Sequence, residues 1–154
     1  MPLPGDLPED KDAALAGLSR PVLEARLHSG RPVTFTTQGV SMVPFLRAGD
    51  RVRLIATGRP RLGDVIAFWR GEELVVHRFA GWAAGGTLFR EKGDNLREWH
   101  LVPAGDLAGR VDQVGRQGVD RACPRSLPRG LWALAFCLAY PRLRRLWHLL
   151  RRKP

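Results

Sequence analysis

The chain reads as a mainly β protein with short helices ahead of the sheet and an amphipathic helix behind it. Three observations predict this. Between Pro32 and Gly115, short runs rich in β-branched and aromatic residues alternate with Gly-Asp and Gly-Glu turns, the pattern of strands joined by tight connections. Before Gly30, apolar residues recur at helical spacing, and after Leu131 they do so again among arginines. With 154 residues, of which 44% are hydrophobic and 26% charged, the chain has the size and composition of one folded domain with a core and terminal appendages.

Residues 1 to 10 are rich in proline and acidic groups and read as a loose arm. From Lys11 to His28, Leu15, Leu18, Val22, Leu23 and Leu27 follow helical spacing. Pro21 divides this segment into two short helices, with Ser19 near the cap of the second and Gly30 as its stop. Six strands are then expected: Val33 to Thr37, Arg51 to Ala56, Asp64 to Trp69, Glu73 to Ala80, Thr87 to Glu91 and Leu107 to Val114. Six strands in so short a stretch imply hairpins and bent ribbons. Residues 116 to 130 read as a Gly/Pro/Arg linker. A helix over Leu131 to Leu150 should be kinked by Pro141, which has no N–H to donate. The resulting division is an N-terminal arm over 1–30, a β domain over 31–118, and a basic linker with an amphipathic helix over 119–154.

Charge is spread unevenly. The formal net charge is +10, yet residues 1–30 carry three Lys/Arg against five Asp/Glu, residues 31–118 thirteen against nine, and residues 119–154 nine against one. Basicity is thus a C-terminal property. In the C-terminal segment Trp132, Phe136, Leu143, Leu146, Trp147 and Leu150 interleave with Arg142, Arg144, Arg145, Arg151, Arg152 and Lys153. Such a helix suits an anionic membrane surface, and the competing reading packs its apolar side on the β domain. Nucleic acid is not an expected partner, because the β domain lacks interleaved basic and aromatic residues. No stretch of 18 apolar residues and no secretory signal pattern is visible, so a peripheral position on the cytoplasmic face of a membrane, or the cytoplasm, is expected. Cys123 and Cys137 lack metal-ligand spacing, and His28, His77, His100 and His148 are scattered; neither a disulfide framework nor a metal or other cofactor is expected.

Ser41 lies between Gly39 and Pro44 in Thr37-Gln38-Gly39-Val40-Ser41-Met42-Val43-Pro44, a turn-forming context that presents a hydroxyl rather than burying it. A serine needs a neighbouring base to become a nucleophile, and a histidine serves near neutral pH. His77 is the best placed of the four, in Leu74-Val75-Val76-His77-Arg78-Phe79, where strand alternation puts Val75, His77 and Phe79 on one face.

Four segments together resemble the signal peptidase superfamily, which comprises the type I signal peptidases and the LexA-like self-cleaving repressors. Gly39 to Val52 is similar to its serine box, Gly63 to Phe68 to the strand that follows, and Val75-Val76-His77-Arg78 to its general-base box. Glu91-Lys92-Gly93-Asp94-Asn95, with Trp99 to Pro103 and Gly109-Arg110-Val111, is similar to the closing box. They occur in the family's order over about residues 33 to 115. The resemblance implies a signal peptidase/LexA-like bent β-ribbon fold and a serine endopeptidase acting on a precursor or leader peptide, without a cofactor. His77 in the base box implies the histidine-type variant, in which Ser41 forms an acyl-enzyme and His77 is the general base. Asp94 is implied as the residue orienting His77, with Glu98 as a second candidate. Backbone amides around Ser41 would supply the oxyanion donors, and Gly39, Met42, Val43, Pro44 and Phe45 would border the substrate cleft. A regulator of the LexA type is disfavoured because the first thirty residues are too few for a helix-turn-helix domain. The alternative of a different class is a non-catalytic peptide-binding or membrane-adaptor module on the same fold.

Overall fold

The computed structural model describes residues 19–123 and 127–150. The expected arm at 1–10 and the first short helix lie outside the described residues. The second is α1 (Arg20–His28), with Pro21 in its first turn; Leu23 and Leu27, one turn apart, are its buried residues. The chain leaves it through Gly30, whose N–H donates to the Leu27 carbonyl while that of Arg31 donates to Arg26.

The described residues form eight strands: β1 (Val33–Thr36), β2 (Arg51–Ile55), β3 (Val65–Arg70), β4 (Glu73–Ala83), β5 (Leu88–Lys92), β6 (His100–Pro103), β7 (Leu107–Arg116) and β8 (Val119–Ala122). All pair antiparallel in one sheet, in the order β1-β2-β7-β3-β4-β5-β6, with β8 on β7. The mainly β class is therefore observed, and each of the six expected strands is present. β6 and β8 are additions. β8 falls in the expected linker, where its four exposed residues pair with Gln113 to Arg116 of β7. The sheet accordingly runs past residue 118 to Ala122.

β3 explains how the sheet holds two cores. Its residues Val65 to Trp69 are all buried, with Val65, Ala67 and Trp69 in one cluster and Ile66 and Phe68 in another, as expected of a strand covered on both faces. The first cluster takes in Leu23 and Leu27 of α1, Val33, Phe35, Val52, Leu54, Val111 and Val114, together with Met42 and Leu46 from the loop between β1 and β2. Phe79, Phe89 and Val102 complete the second. Phe89 meets Phe68 edge to face, with ring centroids 5.8 Å apart.

The C-terminal helix, α2 (Leu127–Leu150), passes through Pro141 and begins four residues earlier than the spacing predicts. Among the described residues no helix is long and apolar enough to cross a membrane.

Candidate active site

Strand β5 pairs with β4 only from Arg78 onward, whereas β3 pairs with β4 from Glu73 to Arg78. One edge of β4 over Glu73–His77 therefore carries no strand among the described residues. Beside this edge lies a cleft of about 480 Å³, bounded on the other side by the end of β1 and the loop that follows, including Thr37, Gly39, Ser41 and Met42. His77 and Ser41 both line it. They arrive from different faces of the sheet: Met42 and Leu46, flanking Ser41, pack in the first cluster, while the His77 ring sits 5.9 Å from that of Phe68 in the second. The open edge is where both faces are within reach.

The imidazole is fixed from behind. Its Nδ1 lies 2.5 Å from Oε2 of Glu91, and the two residues are 2% and 0% exposed. A carboxylate oxygen accepts, so Nδ1 is the donor of this bond, and in the neutral ring Nε2 is then the nitrogen with the lone pair. The other oxygen of Glu91 accepts from Arg70 at 3.1 Å, and His100 Nδ1 is also 3.1 Å from it.

Asp94, expected to orient His77, does something else. It receives two hydrogen bonds from Arg78, Nε to Oδ1 at 2.7 Å and Nη2 to Oδ2 at 2.6 Å, and Arg78 also donates to the Gly63 carbonyl at 2.8 Å. Burial works against the Arg78 charge, but the bonds and charge of Asp94 more than offset it, and the guanidinium pKa stands above the ordinary arginine value. Strand alternation is the physical reason: consecutive side chains on β4 point to opposite faces, so the carboxylate that meets Arg78 cannot also meet His77. Glu91 was the residue missed. Its partner across the hairpin is Phe79, which shares a face with His77. The irregularity between Phe79 and Gly81 hides that register from the sequence. Glu98, the second candidate, is exposed and lines a separate cleft beside α2.

The segment Gly93–Asn95 holds the Ser41 loop by its backbone. Asn95 N–H donates to the Ser41 carbonyl at 2.8 Å and Asn95 Nδ2 to the Val40 carbonyl at 3.0 Å. A Cβ on Gly93 would lie 2.7 Å from the Ser41 carbonyl oxygen, so this approach requires glycine. Gly39, two residues before Ser41, adopts φ +81°, a left-handed turn that presents the loop to the cleft. Among the described residues the Ser41 backbone N–H has no acceptor, and Ser41 Oγ has no hydrogen bond to His77.

Of the expected cleft residues, Gly39 and Met42 line it, and Met42 is at the same time part of the core. Val43, Pro44 and Phe45 do not line it. The Phe45 ring instead lies under the Arg78 guanidinium, 5.0 Å from its centroid, at a different cleft. The remaining lining is apolar at Phe35, Leu46, Leu74, Val76 and Leu96 and charged at its rim through Arg47, Arg70, Glu72 and Glu73.

Lys92 occupies a site of its own. Buried between β5 and α2, its Nζ donates to the Cys137 carbonyl at 2.6 Å and to the Gly93 carbonyl at 3.2 Å. In a helix the Cys137 carbonyl would accept from residue 141, but that residue is Pro141 and has no N–H. The lysine fills the gap. Cys123 and Cys137 are free thiols, each pushed up to about 11, chiefly by burial, so neither ionises appreciably near neutral pH. Among the described residues no group of three or more His, Cys, Asp or Glu is placed to hold a metal ion.

No protein-family model matches the chain, and no curated protein matches it.

Proposed function

We propose that the protein is a serine endopeptidase of the signal peptidase superfamily that cleaves a precursor or leader peptide. The observation that carries this reading is the cleft shared by Ser41 and His77, with the imidazole held by the buried Glu91 so that Nε2 is the free nitrogen.

The chemistry assigns each group a role. Ser41 Oγ attacks the scissile carbonyl carbon while its proton passes to His77 Nε2. The oxyanion that develops is met by the backbone N–H of Ser41, which has no competing acceptor among the described residues. The tetrahedral intermediate collapses, the C–N bond breaks, and the leaving amine takes the proton from His77. Water then attacks the acyl-enzyme, giving its proton to His77, and as the ester C–O bond breaks His77 passes that proton to Ser41 Oγ. Glu91 touches no reacting atom; it is a positioning residue that fixes the tautomer and stabilises the imidazolium between these steps. The free edge of β4 over Glu73–His77 offers unpaired backbone groups along which an extended substrate can add as a strand.

The test is cleavage of candidate precursor peptides by the wild type and by Ser41→Ala and His77→Ala. Each substitution is expected to abolish turnover while leaving the fold and peptide binding intact. Unchanged turnover in either removes the role assigned to it. One observation favours a second reading: among the described residues no hydrogen bond yet joins Ser41 to His77. A non-catalytic peptide-binding module would use the same strand edge, and it is identified by peptides that bind with measurable affinity and are never cut.

A further inference from the structure

We infer that the outward face of α2 is a docking surface for an anionic lipid bilayer, on which the helix lies parallel to the membrane plane. This rests on α2 alone and is independent of any peptidase activity.

Cys137 and Pro141 form the buried side of α2, fastened by Lys92. At about 100° per residue, Trp132, Phe136, Leu143, Leu146 and Trp147 fall within a stripe about 100° wide on the opposite side. All five are exposed, Trp132 at 78% and Trp147 at 54%. The stripe is about 22 Å long at 1.5 Å rise per residue, with a tryptophan at each end. Exposed apolar surface of this extent on a soluble domain marks an interaction site. Packing on the β domain, the competing expectation, accounts only for the inner side of the helix.

Charge selects the occupant. On the same helical wheel, Arg142 and Arg144 flank the stripe on its two sides, and both are exposed. From Arg121 to Pro154 the sequence has nine Lys/Arg and no Asp/Glu. A second copy of the chain docked through this face would bring these like charges together across a symmetric interface. An anionic bilayer offers the complement on both counts: acyl chains for the stripe, with indole rings at headgroup depth, and phosphate for the flanking guanidinium groups.

The experiment is flotation of the full chain with phosphatidylcholine vesicles containing phosphatidylglycerol, compared with phosphatidylcholine alone. The expected result is co-flotation with the anionic vesicles, accompanied by a blue shift of tryptophan emission. Partitioning should fall about tenfold or more without phosphatidylglycerol or at high salt. Trp132→Glu combined with Trp147→Glu is expected to abolish flotation, and Arg142→Gln with Arg144→Gln to reduce it by about tenfold. The variants should stay folded by circular dichroism, since these side chains are largely exposed; the emission shift of the unaltered chain gives an independent reading if one does not. The inference is overturned by absence of flotation, by equal flotation of a folded tryptophan variant, by indifference to phosphatidylglycerol, or by a concentration-dependent dimer that shifts tryptophan emission without lipid.

Discussion

His77 and Arg78 are neighbours on β4, and each is held by a buried carboxylate from the other arm of the hairpin, yet the two arrangements differ in what they leave over. Arg78 spends its donors on Asp94 and the Gly63 carbonyl, and its flat face on Phe45. Nothing of it faces the cleft. His77 gives one nitrogen to Glu91, has no hydrogen-bond partner for the other among the described residues, and lines the cleft that Ser41 also lines. The difference teaches what separates an ion pair that only anchors the fold from one that can serve the proposed chemistry when both are buried. The Arg78 pair is bonded on both carboxylate oxygens and capped by Phe45, and the pair proposed for catalysis keeps one ring nitrogen for a further partner.

The largest effect should come from breaking the Arg78 pair. Asp94→Ala leaves Arg78 charged and buried without its partner and is expected to cost about 3–5 kcal/mol of stability in denaturant unfolding. The folded fraction should retain its activity. Glu91→Gln is the reciprocal test: kcat on a cleavable peptide should fall about a hundredfold, or ~2.7 kcal/mol of barrier, with KM little changed. If Asp94→Ala removed activity without loss of stability while Glu91→Gln left kcat intact, the two assignments would have to be exchanged. A third experiment extends the comparison to Lys92, the residue between them. Lys92→Met leaves the Cys137 carbonyl without a donor, whereas Pro141→Ala restores one from the helix itself. A double-mutant cycle should give a coupling of about 1 kcal/mol, measured as protection of α2 amides from hydrogen exchange. An additive pair would separate the lysine from the proline gap.

The smallest effect concerns the pair of the buried Asp50 and the partly exposed Arg116. Arg116 donates to both oxygens of Asp50, and these bonds, opposed by burial and assisted by the Arg47 N–H, hold the Asp50 carboxyl below its ordinary value of 3.8. A carboxyl whose pKa is lower folded than unfolded adds stability above the unfolded value and loses it as pH falls through the folded one. Stability should therefore decline below about pH 4, and Arg116→Gln should flatten that decline in an acid titration followed by circular dichroism.

The β class was legible because β1 to β5 and β7 carry apolar residues in runs that only a strand accommodates. β8 was not, since its residues are all exposed and give no alternation; it exists because Gln117 and Gly118, both at positive φ, turn the chain back on β7. β6 buries only Val102 and ends in a proline. At the site, Ser41 and His77 were legible as residue types in suggestive surroundings. Glu91 is hidden by the strand irregularity, and the role of Asp94 is hidden because a Gly-Asp-Asn turn resembles a catalytic box more closely than it resembles the anchor of an arginine on the adjacent strand. The cleft-facing role of Val43, Pro44 and Phe45 failed for a related reason: sequence adjacency to Ser41 does not say which way a loop turns.

The proline gap in α2 has a further consequence. A helix with every backbone group paired along its own axis could be shifted by a turn against its neighbours at modest expense. Here a lysine from β5 is keyed into a single notch that exists at one place on the shaft. Rolling or sliding the helix would withdraw the key, and the same short segment, one residue further on, carries the glycine against which the serine carbonyl rests. The seat of the helix and the backing of the serine loop thus share adjoining residues, Lys92 and Gly93.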